Sequence, residues 1–160
     1  MSESAAFMAP IPATPAIPPL ITRLVEQFDA TWIGSDNLDA WLAESGDCLL
    51  LLCGDPVRHP ESLDVAVVLP ELRQEVARRH GCTLRLGVVH RAEEEAIAAR
   101  FALRRWPTLV WLRDGGYVTT IDGMHDWDEY LSLADKALNL SNARIPLFAE
   151  TPSGATGGCQ

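Results

Sequence analysis

The stretch Cys48, Leu49, Leu50, Leu51, Leu52, Cys53 is apolar at every position, with Asp47 before it and Gly54 after it. It is strand-sized and far too short to span a bilayer. A strand with one wet face would alternate polar and apolar residues. A run apolar on both faces suits a central strand covered from both sides. Such a strand requires packed layers above and below its sheet, which selects an α/β architecture.

The flanking periodicity supplies those layers. Pro19 suits the first turn of a helix in which Leu20, Leu24, Val25 and Phe28 recur at helical spacing. Residues 31–33 can form a short edge strand, and Ser35 or Asp36 can cap a helix lined by Leu38, Trp41 and Leu42 and stopped by Gly46. A helix is predicted over residues 64–79, with Val65, Val68, Leu69, Leu72 and Val76 on its apolar face and Pro70 as a kink. Residues 83–89 read as a second buried strand. Residues 92–101 read as a helix whose first turn carries Glu93, Glu94 and Glu95, as the helix dipole favours. Residues 108–112 and 117–121 form strands joined through Asp114-Gly115-Gly116, a hairpin signal. Asp126 caps a last helix lined by Trp127, Tyr130, Leu131, Ala134 and Leu138. Strand–helix alternation followed by a hairpin predicts a mixed central sheet with helices on both faces.

One domain is expected over residues 19–140 of the 160. Residues 1–18 form an arm with Pro10, Pro12, Pro15 and Pro18, expected to be extended or disordered. The arm lacks the basic flanks of a conventional proline-rich ligand. Residues 141–160 form a flexible tail, rich in Gly, Ser, Thr and Pro from Thr151 onward.

A net charge of −9 with Lys136 as the single lysine argues against nucleic-acid binding, which needs clustered bases. The same charge can steer a basic partner. No run is long enough to insert in a membrane, and the N-terminus lacks a basic n-region and an unbroken apolar core, so a cytoplasmic location is expected.

Four cysteines form no recognisable framework. Cys48 and Cys53 have an odd separation and fall on opposite faces of one strand. Cys82 and Cys159 are isolated, and no Cys-x-x-Cys pair occurs. His80, Cys82, His90, Cys53 and His59 are the candidates for a metal site, but their spacing lacks paired ligands, so no metal or other cofactor is expected.

Over residues 20 to 140 the element order resembles the thioredoxin fold. The buried strand with its following loop and helix, the Trp106-Pro107-Thr108 strand entry and the Asp114-Gly115-Gly116 hairpin carry the likeness. That resemblance implies a cis Pro107 facing the loop where a dithiol would sit, with the backbone before it offered to an extended peptide. Here residues 54–64 contain no cysteine, and a thiol enzyme needs a thiolate and a resolving partner at the start of the helix.

The chain more specifically resembles the hydrogenase-accessory family (HyaE/HupG/HoxO), thioredoxin-like proteins without the redox pair. The matching blocks are Leu38-Asp39-Ala40-Trp41-Leu42, then Leu51-Leu52-Cys53-Gly54-Asp55-Pro56-Val57-Arg58-His59-Pro60-Glu61, then Glu95-Ala96-Ile97-Ala98-Ala99-Arg100-Phe101. Pro107-Thr108-Leu109-Val110 and Asp122-Gly123-Met124-His125-Asp126-Trp127 complete them. The resemblance implies a non-enzymatic chaperone for the nickel–iron hydrogenase small-subunit precursor. That precursor carries a twin-arginine signal peptide, and the chaperone would hold it before export. Other hydrogenase accessory proteins are further candidate partners.

On this reading the partner-binding groove has three walls. Asp55, Pro56, Val57, Arg58, His59, Pro60 and Glu61 form one, Trp106 and Pro107 the second, and Gly123, Met124 and His125 the third. Trp and Met suit apolar side chains, and Asp55 and Glu61 could pair with incoming arginines. The plainer expectations are that Trp41, Trp111 and Trp127 are core, that Asp55 caps a turn and that Arg58 pairs with Glu61. The alternative function is an atypical monothiol redox protein using Cys53 or Cys82.

Overall fold

A computed structural model describes residues 16–142. The arm before residue 16 and the tail after residue 142, with Cys159, lie outside the described residues. The elements are α1 (Pro19–Phe28), β1 (Thr31–Ile33), α2 (Leu38–Leu42), β2 (Asp47–Leu52), α3 (Glu61–His80), β3 (Arg85–Val89), a 3-10 turn (Arg91–Glu93), α4 (Glu94–Arg100), β4 (Thr108–Arg113), β5 (Gly116–Asp122) and α5 (Trp127–Asn139).

The strands form one mixed sheet in the order β1-β3-β2-β4-β5. β2 is central, parallel to β3 and antiparallel to β4, and β5 closes the sheet antiparallel to β4. Every residue of β2 is buried. Its side chains divide by parity. Leu49 and Leu51, with Cys53 just beyond, enter a core shared with α1, α3 and α5. Cys48, Leu50 and Leu52 enter a second core shared with α2 and α4. The period-two geometry of a strand thus places the two cysteines on opposite faces. On the second face Trp41 lies over Gly87, where an added Cβ would come within 2.9 Å of the Trp41 ring.

The turn between β4 and β5 is shorter than the three-residue signal. Asp114 and Gly115 alone connect them, both at positive φ (52° and 81°), as a two-residue hairpin turn requires. α3 begins at Glu61, three residues before the expected start, because Pro60 sits at the helix boundary without needing to donate. It runs on through Pro70 to His80. β2 ends at Leu52, so Cys53 belongs to the loop and not to the strand. Trp127 is 41 % exposed at the first position of α5, which corrects its placement in the core. Among the described residues no helix is long and apolar enough to cross a membrane.

At the end of the sheet remote from the β2–α3 loop, Asp47 is a buried anchor. It accepts the Trp111 indole N–H at 2.7 Å and pairs with Arg113 at 2.8 Å. Arg113 also donates to the Ala137 carbonyl at 2.9 Å and to that of Leu140, which ties the C-terminal end of α5 to the sheet.

Candidate functional site

The candidate walls converge where β2 ends, β4 begins and β5 ends. The Trp106–Pro107 peptide bond is cis. Gly54, at φ +73°, leads the chain out of β2 directly against Trp106: an added Cβ would lie 2.8 Å from the Trp106 Cβ. On the other side, the Gly123 N–H donates to the Pro107 carbonyl at 2.7 Å, and the Thr108 hydroxyl donates to the Asp122 carboxylate at 3.1 Å. The Trp106-Pro107 unit therefore bridges the 54–61 loop and the 123–125 turn.

The loop is organised by Asp55. Its carboxylate accepts the Val57 N–H at 2.9 Å and its carbonyl accepts the His59 N–H at 2.8 Å, so it caps a turn, in line with the plainer expectation. Glu61 falls in the first turn of α3. The Arg58–Glu61 pair is not formed among the described residues. Val57 is turned to solvent, 88 % exposed.

The turn is organised by α5. The buried Tyr130 hydroxyl donates to the Gly123 carbonyl at 3.1 Å and lies 3.6 Å from the Met124 sulfur. The His125 ring lies 2.7 Å from the Asp122 carbonyl through one nitrogen and 3.1 Å from the Glu129 carboxylate through the other. Burial raises the Tyr130 phenol above its usual range and keeps it the neutral donor this contact needs. Met124, 40 % exposed, and Trp127 stand outward from this framework.

Beneath the loop lies a residue that sequence reasoning missed. Glu94 is 1 % exposed and accepts the Cys53 N–H at 2.8 Å and the Gly54 N–H at 3.0 Å, with Arg91 at 3.3 Å. Burial raises its carboxyl above the ordinary range, and the two backbone bonds and the Arg91 charge counter that rise only in part. Glu94 fixes the point at which the loop leaves the sheet. Its signal is present in the sequence: Glu94, Ile97, Ala98 and Phe101 fall at i, i+3, i+4 and i+7, so an acid occupies the apolar stripe of α4.

Among the described residues the thiols are raised, and two of the three are enclosed. Cys53 is 4 % exposed, and burial, then the Glu94 charge, raise its pKa. Burial pushes Cys48 up to about 12 and also raises Cys82. A thiol held protonated and enclosed, as Cys48 and Cys53 are, is a poor nucleophile. The candidate ligands Cys53, His59, His80, Cys82 and His90 are not gathered: among the described residues no three His, Cys, Asp or Glu side chains are grouped to hold a metal ion. His80 instead meets Asp135 at 2.8 Å, and His90 stacks on Trp32 at 5.0 Å.

The fold and site define a thioredoxin-like domain whose dithiol position is replaced by a carboxylate-anchored loop. A solved mutant thioredoxin from Halobacterium salinarum is 20 % identical and covers 73 % of this chain and 94 % of its own, with a TM-score of 0.53. The family model described as hydrogenase-1 expression protein HyaE matches residues 20–130, and the chain belongs to that family. The hydrogenase expression/formation protein HoxO of Cupriavidus necator is 49 % identical over 98 % of this chain and 97 % of its own. HupG of Rhizobium leguminosarum, also a hydrogenase expression/formation protein, is 39 % identical over 70 % of this chain and 75 % of its own. Membership places the chain in hydrogenase maturation.

Proposed function

We propose that this protein is a non-catalytic assembly chaperone that holds the small-subunit precursor of a nickel–iron hydrogenase before export, in the cytoplasm. The observation that carries the reading is the exposure of Val57, Met124 and Trp127 around the Trp106-Pro107 bridge, at the same end of the sheet where Cys53 is buried. Large apolar side chains held outward by a fixed framework suit capture of an apolar segment, and Met adapts to varied shapes. Asp55 and Glu61 border this surface, and together with the net charge of −9 they favour a partner with basic residues ahead of its apolar stretch. A twin-arginine signal peptide has that order of charge and apolarity.

Co-purification of the tagged protein with the intact precursor, and with precursor lacking its signal peptide, tests the reading. Capture of the intact form and loss of capture on removing the signal peptide are expected. Equal capture of both would move the contact to the mature subunit, and capture of neither would sink the proposal.

A further inference from the structure

Tyr130 is the fourth residue of α5 and is wholly buried. Its ring packs in the core shared with α1 and α3, while its hydroxyl reaches the 123–125 turn. A buried phenol needs a hydrogen-bond partner. Here two acceptors come from consecutive residues, the Gly123 carbonyl at 3.1 Å and the Met124 sulfur at 3.6 Å. The hydroxyl has a single proton, so the carbonyl, the stronger acceptor, takes it and the thioether is the weaker second contact.

The backbone on either side of Met124 has other ties. The Gly123 N–H donates to the Pro107 carbonyl at 2.7 Å. The His125 ring is held between the Asp122 carbonyl and the Glu129 carboxylate, and it meets the Tyr130 ring edge-on at 5.4 Å. The Asp122 carboxylate in turn accepts the Thr108 hydroxyl. What the Tyr130 hydroxyl adds to these ties is a hold on the Met124 side chain itself, which is unbranched, flexible and 40 % exposed.

We propose that the Tyr130 hydroxyl is a positioning residue for partner binding, which sets Met124 in its outward arrangement before the precursor arrives. The inference rests on the binding role of the exposed loop and turn. Methionine is among the side chains that lose most rotamer freedom when they are ordered. A methionine already held at its sulfur loses less on binding, and that preorganisation raises affinity. The hydroxyl acts through Met124 and does not itself meet the partner.

The test compares precursor affinity in four full-length proteins: the parent, Tyr130→Phe, Met124→Ala and the double variant. Tyr130→Phe keeps the buried ring and removes the hydroxyl alone. It should weaken binding roughly threefold to tenfold when Met124 is present and have no effect in the Met124→Ala background. In the free protein, the Met124 methyl carbon resonance should move toward its rotationally averaged value in Tyr130→Phe. An equal loss of affinity in both backgrounds would overturn the proposal, because the hydroxyl would then act on the fold and not through Met124. An unchanged Met124 resonance would overturn it too. Parent binding with unchanged affinity in Tyr130→Phe would sink this role alone, whereas a parent that does not bind the precursor would sink the proposed function and this role with it.

Discussion

Gly54 lies flat against Trp106, with no room for a Cβ: one built there would stand 2.8–2.9 Å from three atoms of the indole side chain. This contact joins the loop that replaces the dithiol to the strand entry that faces it. The Gly54→Ala variant must also hold φ +73°, which L residues avoid. It is expected to lose about 2 kcal/mol of stability, from strain of about 1–2 kcal/mol plus the displaced Trp106. Chemical denaturation measures the loss, and a variant as stable as the parent would contradict the packing.

Glu94 should behave as a positioning residue. The Glu94→Ala variant leaves the Cys53 and Gly54 N–H groups buried without an acceptor, a loss of about 2–4 kcal/mol. The Glu94→Gln variant keeps one carbonyl acceptor and should lose less. Burial raises the Glu94 carboxyl, so the folded protein takes up its proton more readily than the unfolded chain. Stability tied to that proton is complete below the ordinary carboxylate range and is lost as pH rises through the raised value. Thermal unfolding from about pH 7 down to about pH 4 should show the parent gaining on Glu94→Gln. A constant difference across that range would refute the assignment.

Thiol labelling should separate the cysteines by burial. Cys48 and Cys53 are enclosed and raised, whereas Cys82 is partly exposed. Under native conditions an alkylating reagent should modify Cys82 well before Cys53, and Cys53 should react only on addition of denaturant. Fast native labelling of Cys53 would restore the monothiol redox reading.

Arg113 separates stability from binding. The Arg113→Ala variant strips a partner from the buried Asp47 carboxylate and unties the end of α5, a loss of about 2–4 kcal/mol. The exposed side chains of the 54–61 loop and the 123–125 turn lie at the opposite end of the sheet, so on the proposed function precursor capture by the folded variant should be unchanged. Loss of capture in a folded Arg113→Ala protein would move the proposed binding surface away from the loop and turn.

The sheet is legible in the sequence because its core strand is apolar on both faces and each helix keeps its period. Residues 31–33 and the antiparallel hairpin are readable for the same reason. Boundaries are not: the helix start at Glu61 and the turn at Asp114-Gly115 depend on backbone angles that periodicity does not encode. The Asp55 turn and the cis Trp106–Pro107 unit are legible as a pattern, but not the Glu94 anchor, because an acidic triplet at a helix start already has a sufficient explanation in the dipole. Helical spacing puts Trp127 near the apolar side of α5 and so into the expected core, whereas Trp127, Asp128 and Glu129 of its first turn are exposed and burial begins at Tyr130.

On the proposed function, the exposed apolar side chains of the loop and turn hold the hydrogenase precursor. The most direct measurement is the affinity for purified small-subunit precursor of the full chain, compared with Val57→Asp and Met124→Asp. Both side chains are exposed, so the melting temperature should stay unchanged. Roughly tenfold weaker binding is expected for each variant. Affinity equal to that of the parent in both would contradict it.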